Sequence, residues 1–226
     1  MNRLLFLATA ACAAALAACE SELASDVSQD RIYTAYELFY DANDDITRAR
    51  ATFFLGSATG TRLELTDGAA VSFEGEELAW RPALAFYELE LAGFRREGRF
   101  SYTDLDGETY VNPAAVATTD LPEALPAIAR DRAYEIAWDG PPLGERESVV
   151  ITVLTREAAG GDGLFTEASR GATRVILPAD DVNRLLLGPA EVILARFEDA
   201  DLSEGTNDGG KVTSHYRAPV VETVVE

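Results

Sequence analysis

Hydrophobic and polar residues alternate with a period of two along most of the chain. In the first half, apolar side chains share one parity in several short runs: Ala49, Ala51, Phe53 and Leu55; Leu63 and Leu65; Tyr87, Leu89 and Leu91. Such alternation is typical of strands that bury one face. Residues that favour turns separate the runs at short intervals, for example at 56–60 and 106–107. The pattern therefore predicts an all-β fold, and it indicates no amphipathic helix longer than two or three turns.

The alternation continues in the second half, in runs that contain Tyr134, Ile136 and Trp138; Val149, Ile151 and Val153; Val192 and Leu194. Between the halves, residues 112–130 carry three prolines and little periodicity, which is typical of a semi-rigid connector. We therefore predict two domains, 31–121 and 122–226, with the boundary near Pro122. The alternative is a single large sandwich in which this connector crosses between sheets.

The chain is strongly acidic, with 39 acidic and 19 basic residues and a formal net charge of -20. This balance argues against a nucleic-acid partner, whose phosphates need a basic surface. It also argues against binding to anionic lipid through a polybasic surface. Attachment to a membrane would therefore need another device.

The N-terminus offers such a device. Arg3 gives a cationic start, and residues 4–18 carry no charge but fall short of the ~20 apolar residues that a spanning helix needs. Leu16, Ala17, Ala18 and Cys19 then resemble the lipobox of bacterial lipoproteins. The resemblance implies that residues 1–18 are a signal peptide, that Cys19 carries lipid (palmitate or a similar chain), and that residues 19–30 form a lipidated tether.

Cys12 competes with Cys19 for lipid, but Thr9 stands where the lipobox has a bulky aliphatic residue. An uncleaved signal anchor or a conventionally cleaved secretory signal is the alternative for the whole segment. The lipoprotein resemblance implies an extracytoplasmic protein of the bacterial cell envelope, anchored to the outer or the inner membrane. Stable anchoring would require two or three acyl chains, since one chain binds reversibly.

The second half loosely resembles the immunoglobulin-like β-sandwich modules of bacterial envelope proteins. The resemblance rests on the run from Tyr134 to Trp138, a short turn at 180–187, and Gly188 and Pro189 before the next strand. It implies a Greek-key sandwich in which Trp138 is a core residue, although the paired cysteines of antibody domains are absent. The predicted fold class is thus two immunoglobulin-like or Greek-key β-sandwich domains.

The inventory of reactive side chains favours a protein that is not an enzyme. His215 is the single histidine, and it has the parity opposite to Val212 and Tyr216, which predicts a solvent-facing position. Both cysteines, Cys12 and Cys19, belong to the leader and the lipobox. Triads with histidine, Cys/His pairs and multi-histidine metal sites therefore cannot be assembled. Two carboxylates suffice for a glycosidase, so a glycan hydrolase remains an alternative.

Three acidic loops are weak candidates for Ca²⁺. The first contains Asp41, Asn43 and Asp45, the second contains Asp104 and Asp106, and the third covers 199–208. Ca²⁺ prefers such oxygens, but none of the loops matches an EF-hand, and Asp, Asn and Gly also favour plain turns. We interpret them as turns and expect no cofactor. A Ca²⁺-stabilised adhesion or assembly module is the alternative.

Together these observations predict a membrane-anchored extracytoplasmic lipoprotein with a binding or envelope-structural role. We expect its partner to be an envelope protein or a glycan.

Overall fold

The computed structural model describes residues 21–66, 68–155 and 162–226. Within these residues the strands are β1 (Glu22–Leu23), β2 (Ile32–Asp41), β3 (Ile46–Leu55), β4 (Arg62–Glu64), β5 (Ala70–Phe73), β6 (Glu76–Glu77), β7 (Ala79–Arg81), β8 (Phe86–Ala92), β9 (Glu97–Thr103), β10 (Thr109–Ala115), β11 (Tyr134–Ala137), β12 (Glu147–Thr155), β13 (Gly163–Glu167), β14 (Arg174–Leu177), β15 (Gly188–Asp201), β16 (Gly210–Arg217) and β17 (Val221–Val225). One α-helical turn, α1 (Ala179–Val182), precedes β15. The predicted all-β fold is confirmed.

One large sheet runs through the molecule in the order β1-β4-β3-β2-β16-β15-β12-β13. β8 also pairs with β3, β7 pairs with β8, and β17 pairs with β15. Two smaller sheets accompany it: the four-stranded sheet β10-β9-β5-β6 and the two-stranded sheet β11-β14. Buried residues of all three sheets belong to one hydrophobic core.

Strands from both sides of Pro122 meet inside the large sheet. β16 lies parallel to β2, with Gly210–Arg217 in register with Thr34–Asp41. Residue 210 therefore pairs with residue 34 although they are far apart in sequence. Hydrogen bonds therefore join strands from the two predicted ranges. The division into domains 31–121 and 122–226 stays a prediction.

Aromatic packing fixes the four-stranded sheet against the large sheet. Tyr36 of β2 stacks on Phe100 of β9, with ring centroids 4.7 Å apart, and Phe53 of β3 lies 4.7 Å from Tyr102. Phe73 completes the cluster by lying over Gly98, where an added Cβ would come within 2.1 Å of its ring. Glycine is therefore required at position 98, because any side chain there would collide with the Phe73 ring.

The start of the described chain is packed rather than free. Glu22 and Leu23 pair in parallel with Leu63 and Glu64, and Ala24 is fully buried. The Gln29 side-chain amide donates to the Ala24 carbonyl oxygen at 2.8 Å. The tether over 19–30 stays a prediction, and within its described part Glu22 and Leu23 pair with the edge of β4.

The helical content of the described chain is small. Apart from α1, it consists of two single 3-10 turns, Ala24–Asp26 and Gln29–Arg31. Among the described residues, no helix is long and apolar enough to cross a membrane.

Candidate functional site

A cleft of about 640 Å³ opens between the large sheet and the four-stranded sheet. Its walls come from the start of β9, the end of β10 and the facing parts of β15 and β16. The lining residues are Glu74, Glu97, Gly98, Arg99, Pro113, Ala114, Ala115, Glu198, Ala200, Val212 and Ser214.

Small side chains explain why the sheets leave space here. Gly98 pairs with Ala114, and Ala115 pairs with Glu97, so the β9–β10 ribbon presents little volume to the cleft. Ala200 and Ser214 line the opposite wall. Farther along β9, Phe100 and Tyr102 fill the gap between the sheets. The cleft is therefore a consequence of side-chain size along β9 and β10.

A set of hydrogen bonds around Asn112, here called the Asn112 clasp, connects β10 to the loop between β15 and β16. The buried Asn112 on β10 accepts hydrogen bonds from the backbone N–H groups of Ser203 and Glu204, at 2.8 and 3.1 Å, through its Oδ1. Its Nδ2 donates to the Glu204 carbonyl oxygen at 2.9 Å. The Glu204 carboxylate in turn accepts the Val111 N–H at 2.7 Å. The loop between β15 and β16 is thereby fastened to β10.

Charge in the cleft is predominantly negative. Among the described residues, Arg99 is the one basic residue that lines the cleft. Its Nε lies 3.7 Å from Glu74 Oε1, and its backbone N–H donates to the same oxygen at 2.7 Å. Arg99 and Glu74 therefore form their own pair. Glu97 and Glu198 supply the remaining negative charge of the lining.

Glu198 is the most unusual of these residues. No hydrogen bond or ion pair to its carboxylate occurs among the described residues, although the residue is partly buried. Burial raises the pKa of the Glu198 carboxyl, the negative charge of Glu147 raises it further, and Arg196 opposes both. A carboxylate in this position gains from any cation that enters the cleft.

Arg196 lies close by but has no donor left for Glu198. The Arg196 side chain is 3% exposed, and its Nε and Nη2 donate to the two Glu147 oxygens at 3.2 and 2.7 Å. Nη1 donates to Thr119 Oγ1 at 2.8 Å and to the Pro141 carbonyl oxygen at 2.9 Å, and Nη2 also donates to the Pro142 carbonyl oxygen at 3.2 Å. All five N–H groups of the guanidinium are used. Arg196 therefore fastens β15 to β12 and to the connector.

Sequence reasoning missed Arg196, although a signal was present. The residue shares the inward parity of Val192 and Leu194 in an apolar strand. An arginine at such a position needs several partners, because a buried unpaired charge is costly.

The solvent-facing prediction for His215 is wrong in one respect. Its parity is as predicted, since Val212 and Tyr216 point into the core. The imidazole nevertheless lies between two rings on the other face, 4.3 Å from Phe39 and 4.1 Å from Phe197. Both phenylalanines are its register partners on the flanking strands β2 and β15. Its Nε2 is buried without a hydrogen-bond partner in the described structure.

The aromatic environment alters the titration of His215. Burial lowers the pKa of the imidazole to about 4, and the charge of Arg217 acts in the same direction. His215 is therefore neutral at pH 7 and packs as an aromatic ring.

The first predicted Ca²⁺ loop is organised by its own hydrogen bonds. Asp41 Oδ1 accepts from the Asn43 N–H and from Asn43 Nδ2, both at 3.0 Å, and Asp41 Oδ2 accepts from Arg217 at 3.1 Å. Asp45 accepts from the Tyr40 hydroxyl at 2.9 Å. Asn43 also accepts the Val220 N–H at 2.9 Å, which connects the turn to the residue just before β17.

The second loop behaves in the same way. Asp104 is buried, and its Oδ1 accepts the backbone N–H groups of Asp106 and Glu108, both at 2.9 Å. Among the described residues, no three His, Cys, Asp or Glu side chains form a group that could hold a metal ion. The interpretation of these loops as turns, with Ca²⁺ binding as the alternative, stays a prediction. Cys19 lies outside the described residues.

Comparisons with known proteins add little. No family model matches the chain, and no curated protein matches it. One similar solved structure is a chain from a 1.5-MDa bacterial ice-binding adhesin studied for host cell surface retention, with 10% identity, a TM-score of 0.25, and coverage of 86% of this chain and 66% of that one. Another is SGBP-B of a mixed-linkage glucan utilization locus of Bacteroides ovatus, in complex with a mixed-linkage heptasaccharide, with 13% identity, a TM-score of 0.20, and coverage of 88% and 46%.

The chain thus spans just under two thirds of the first structure and less than half of the second. At these TM-scores the similarities support no functional argument.

Proposed function

We propose that this protein is a non-enzymatic binding protein of the bacterial cell envelope, held at a membrane by lipid on Cys19, and that its partner inserts a positively charged group into the cleft. The observation that carries the binding proposal is Glu198, a partly buried carboxylate in the cleft wall without a hydrogen bond or ion pair in the described structure.

Charge complementarity identifies the class of partner. A lysine, arginine or other amine would give Glu198 the charge-assisted hydrogen bonds that it lacks. The formal net charge of -20 would also steer a basic partner toward the protein. The small residues around Gly98 and Ala114 leave room for an extended segment that carries such a group.

The lipid anchor is supported by the lipobox resemblance at 16–19. In cells fed labelled fatty acid, the protein should incorporate label, and Cys19→Ser should abolish both the label and membrane retention. Cys12→Ser is the matched control and should leave both unchanged. Recovery of unlabelled wild-type protein in the soluble fraction would contradict the anchor.

The cleft can be tested with a fluorescent hexalysine peptide as the probe. Loss of one charge-assisted pair weakens binding by roughly 1.4 kcal/mol, so Glu198→Gln should raise the Kd about tenfold. Glu123→Gln removes the same charge from an exposed residue outside the cleft and should change the Kd less than about twofold. An equal effect of both variants would mean that the peptide is held by net charge alone.

A glycan hydrolase is the second candidate, and the raised pKa of Glu198 favours it. A general acid needs a carboxyl whose pKa lies above its ordinary value, and Glu97 is a further carboxylate of the same cleft. If the protein is such a hydrolase, incubation with envelope glycan fragments will release new reducing ends. That activity should disappear in Glu198→Gln and in Glu97→Gln but persist in Glu123→Gln. We expect no release from the wild-type protein.

A further inference from the structure

The connection between the proposed lipid and the fold is short. Only Glu20 and Ser21 separate Cys19 from Glu22, which already pairs with Leu63 in the large sheet. Three steps of extended chain span at most about 11 Å. A long flexible tether would let the fold move freely above a membrane, but this connection does not have the length.

The attachment point is itself firmly held. Leu23 pairs with Glu64, Ala24 is fully buried, and Gln29 donates to the carbonyl oxygens of Ala24 and Val27 at 2.8 and 3.1 Å. Gln29 Oε1 also accepts the Leu105 N–H at 3.4 Å. Pulling the chain away at residue 22 would therefore break several contacts, so the short connection cannot lengthen without cost.

We infer that the β1 end of the fold, defined by Leu23, Ser25, Leu65 and Leu105, lies against lipid headgroups and holds the protein in one orientation. This inference rests on the lipid anchor of the proposed function. Leu23 is 43% exposed, and Ser25, Leu65 and Leu105 line one shallow depression beside it.

Charge selects the kind of headgroup. Glu22 and Asp106 are exposed near this end, and Glu64 lines the same depression. These carboxylates repel an anionic surface and attract the ammonium group of a zwitterionic phospholipid such as phosphatidylethanolamine. The surface that fits the β1 end is therefore zwitterionic and rich in amine headgroups.

The opposite edge of the large sheet provides a distant reference point. β1 and β13 are the first and last of eight strands in the sheet order, so seven spacings of about 4.8 Å put them roughly 30 Å apart. In the proposed orientation, a probe in the turn directly after β1 and a probe on β13 differ in their distance from the bilayer by much of this length.

The test uses the full lipidated protein in phosphatidylethanolamine/phosphatidylcholine vesicles. Ser25→Cys and Thr166→Cys each introduce one free thiol for a fluorophore at an exposed position, because both natural cysteines lie at or before the lipidated residue. Flotation of the vesicles first establishes anchoring, and a quencher attached to the lipid headgroups then reports proximity. We expect at least threefold stronger quenching at residue 25 than at residue 166.

A linker variant provides the matched control. Twenty Gly/Ser residues between Ser21 and Glu22 span about 25 Å on average, so they should reduce the difference between the two probes to nearly nothing. Vesicles with anionic lipid at low salt should also reduce it, and an undiminished difference there would overturn the headgroup assignment. Flotation with equal quenching of both probes would overturn the orientation alone. Failure to float would overturn the anchor and the orientation with it.

Discussion

His215 illustrates at the residue scale how pairing partners decide what a side chain experiences. The residue points away from the main core, yet Phe39 and Phe197 enclose its ring. Protonation would place a charge between two phenylalanines with no acceptor at Nε2 among the described residues. The neutral ring is therefore the form that the fold stabilises.

This environment predicts a pH dependence of the free energy of unfolding. The pKa of His215 is about 4 in the folded protein, against 6.5 in the unfolded chain, so between these values the unfolded chain binds more protons. Its contribution is complete above pH 6.5 and is lost as the pH falls toward 4, by on the order of 2 to 3 kcal/mol.

The His215→Phe variant isolates this contribution. Urea unfolding should show a stability at pH 7 equal to or above that of the wild type, since an unpaired nitrogen is removed. Its loss of stability between pH 7 and 4.5 should be smaller by about 2 kcal/mol. An identical loss in both proteins would refute the stacked environment. Burial tends to raise the pKa of Asp41, but hydrogen bonds from Asn43 and the charge of Arg217 lower it below 3.8. The stability that Asp41 contributes is therefore lost at lower pH than the contribution of His215.

Sequence could predict which face of its strand a residue lies on, but it could not predict that aromatic rings enclose His215. The core position of Trp138, which is 5% exposed and directly follows β11, is predicted by the alternation of apolar residues from Tyr134 through Ile136. The stacking of His215 depends instead on register with β2, about 176 residues away in the chain, which no local pattern reveals.

At the scale of elements, the strands were predictable and their partners were not. A period of two is a local signal, so the alternation at 49–55 and 149–153 indicates β3 and β12 directly. The parallel pairing of β2 with β16 is a long-range choice made by core packing. The N-terminal segment illustrates the same limit: its composition predicts a tether over 19–30, and no local pattern reveals that Glu22 and Leu23 pair with β4.

The Asn112 clasp gives a prediction for these elements. Asn112→Ala removes the side chain that bonds the Ser203 N–H, the Glu204 N–H and the Glu204 carbonyl oxygen, and each of these hydrogen bonds contributes about 0.5 to 1.5 kcal/mol. Hydrogen exchange of these two amides should become at least tenfold faster, and global stability should fall by on the order of 2 to 3 kcal/mol.

The control for the clasp is Asn207→Ala in the same loop. Asn207 is exposed and donates one hydrogen bond to Asp30 at 3.2 Å, so its loss should change stability by less than about 0.5 kcal/mol. Unchanged protection of residues 203 and 204 in the Asn112 variant would show that the loop does not depend on the clasp.

At the scale of the whole molecule, the acidic charge and the continuous sheet work against each other. A formal charge of -20 favours expansion, whereas the large sheet ties both halves together through the β2–β16 pairing. Many acidic side chains are offset by local arginine partners, such as Arg48 with Glu90 and Arg50 with Glu88. Composition predicts the repulsion, but the pairs that relieve it require the register of β3 and β8.

Salt and divalent cations should separate general screening from specific binding. Added NaCl should raise the melting temperature, because it screens repulsion among the carboxylates. A true Ca²⁺ site would add RT ln(1 + [L]/Kd), or about 2.7 kcal/mol at one hundred times the Kd. Asp41 and Asp104 already accept several hydrogen bonds within their loops, so we expect millimolar Ca²⁺ and Mg²⁺ to raise the melting temperature to within about 1 °C of each other. A larger shift specific to Ca²⁺ that is lost in Asp104→Asn or Asp41→Asn would instead establish the Ca²⁺-stabilised adhesion module, because screening depends on ionic strength and not on which divalent cation supplies it.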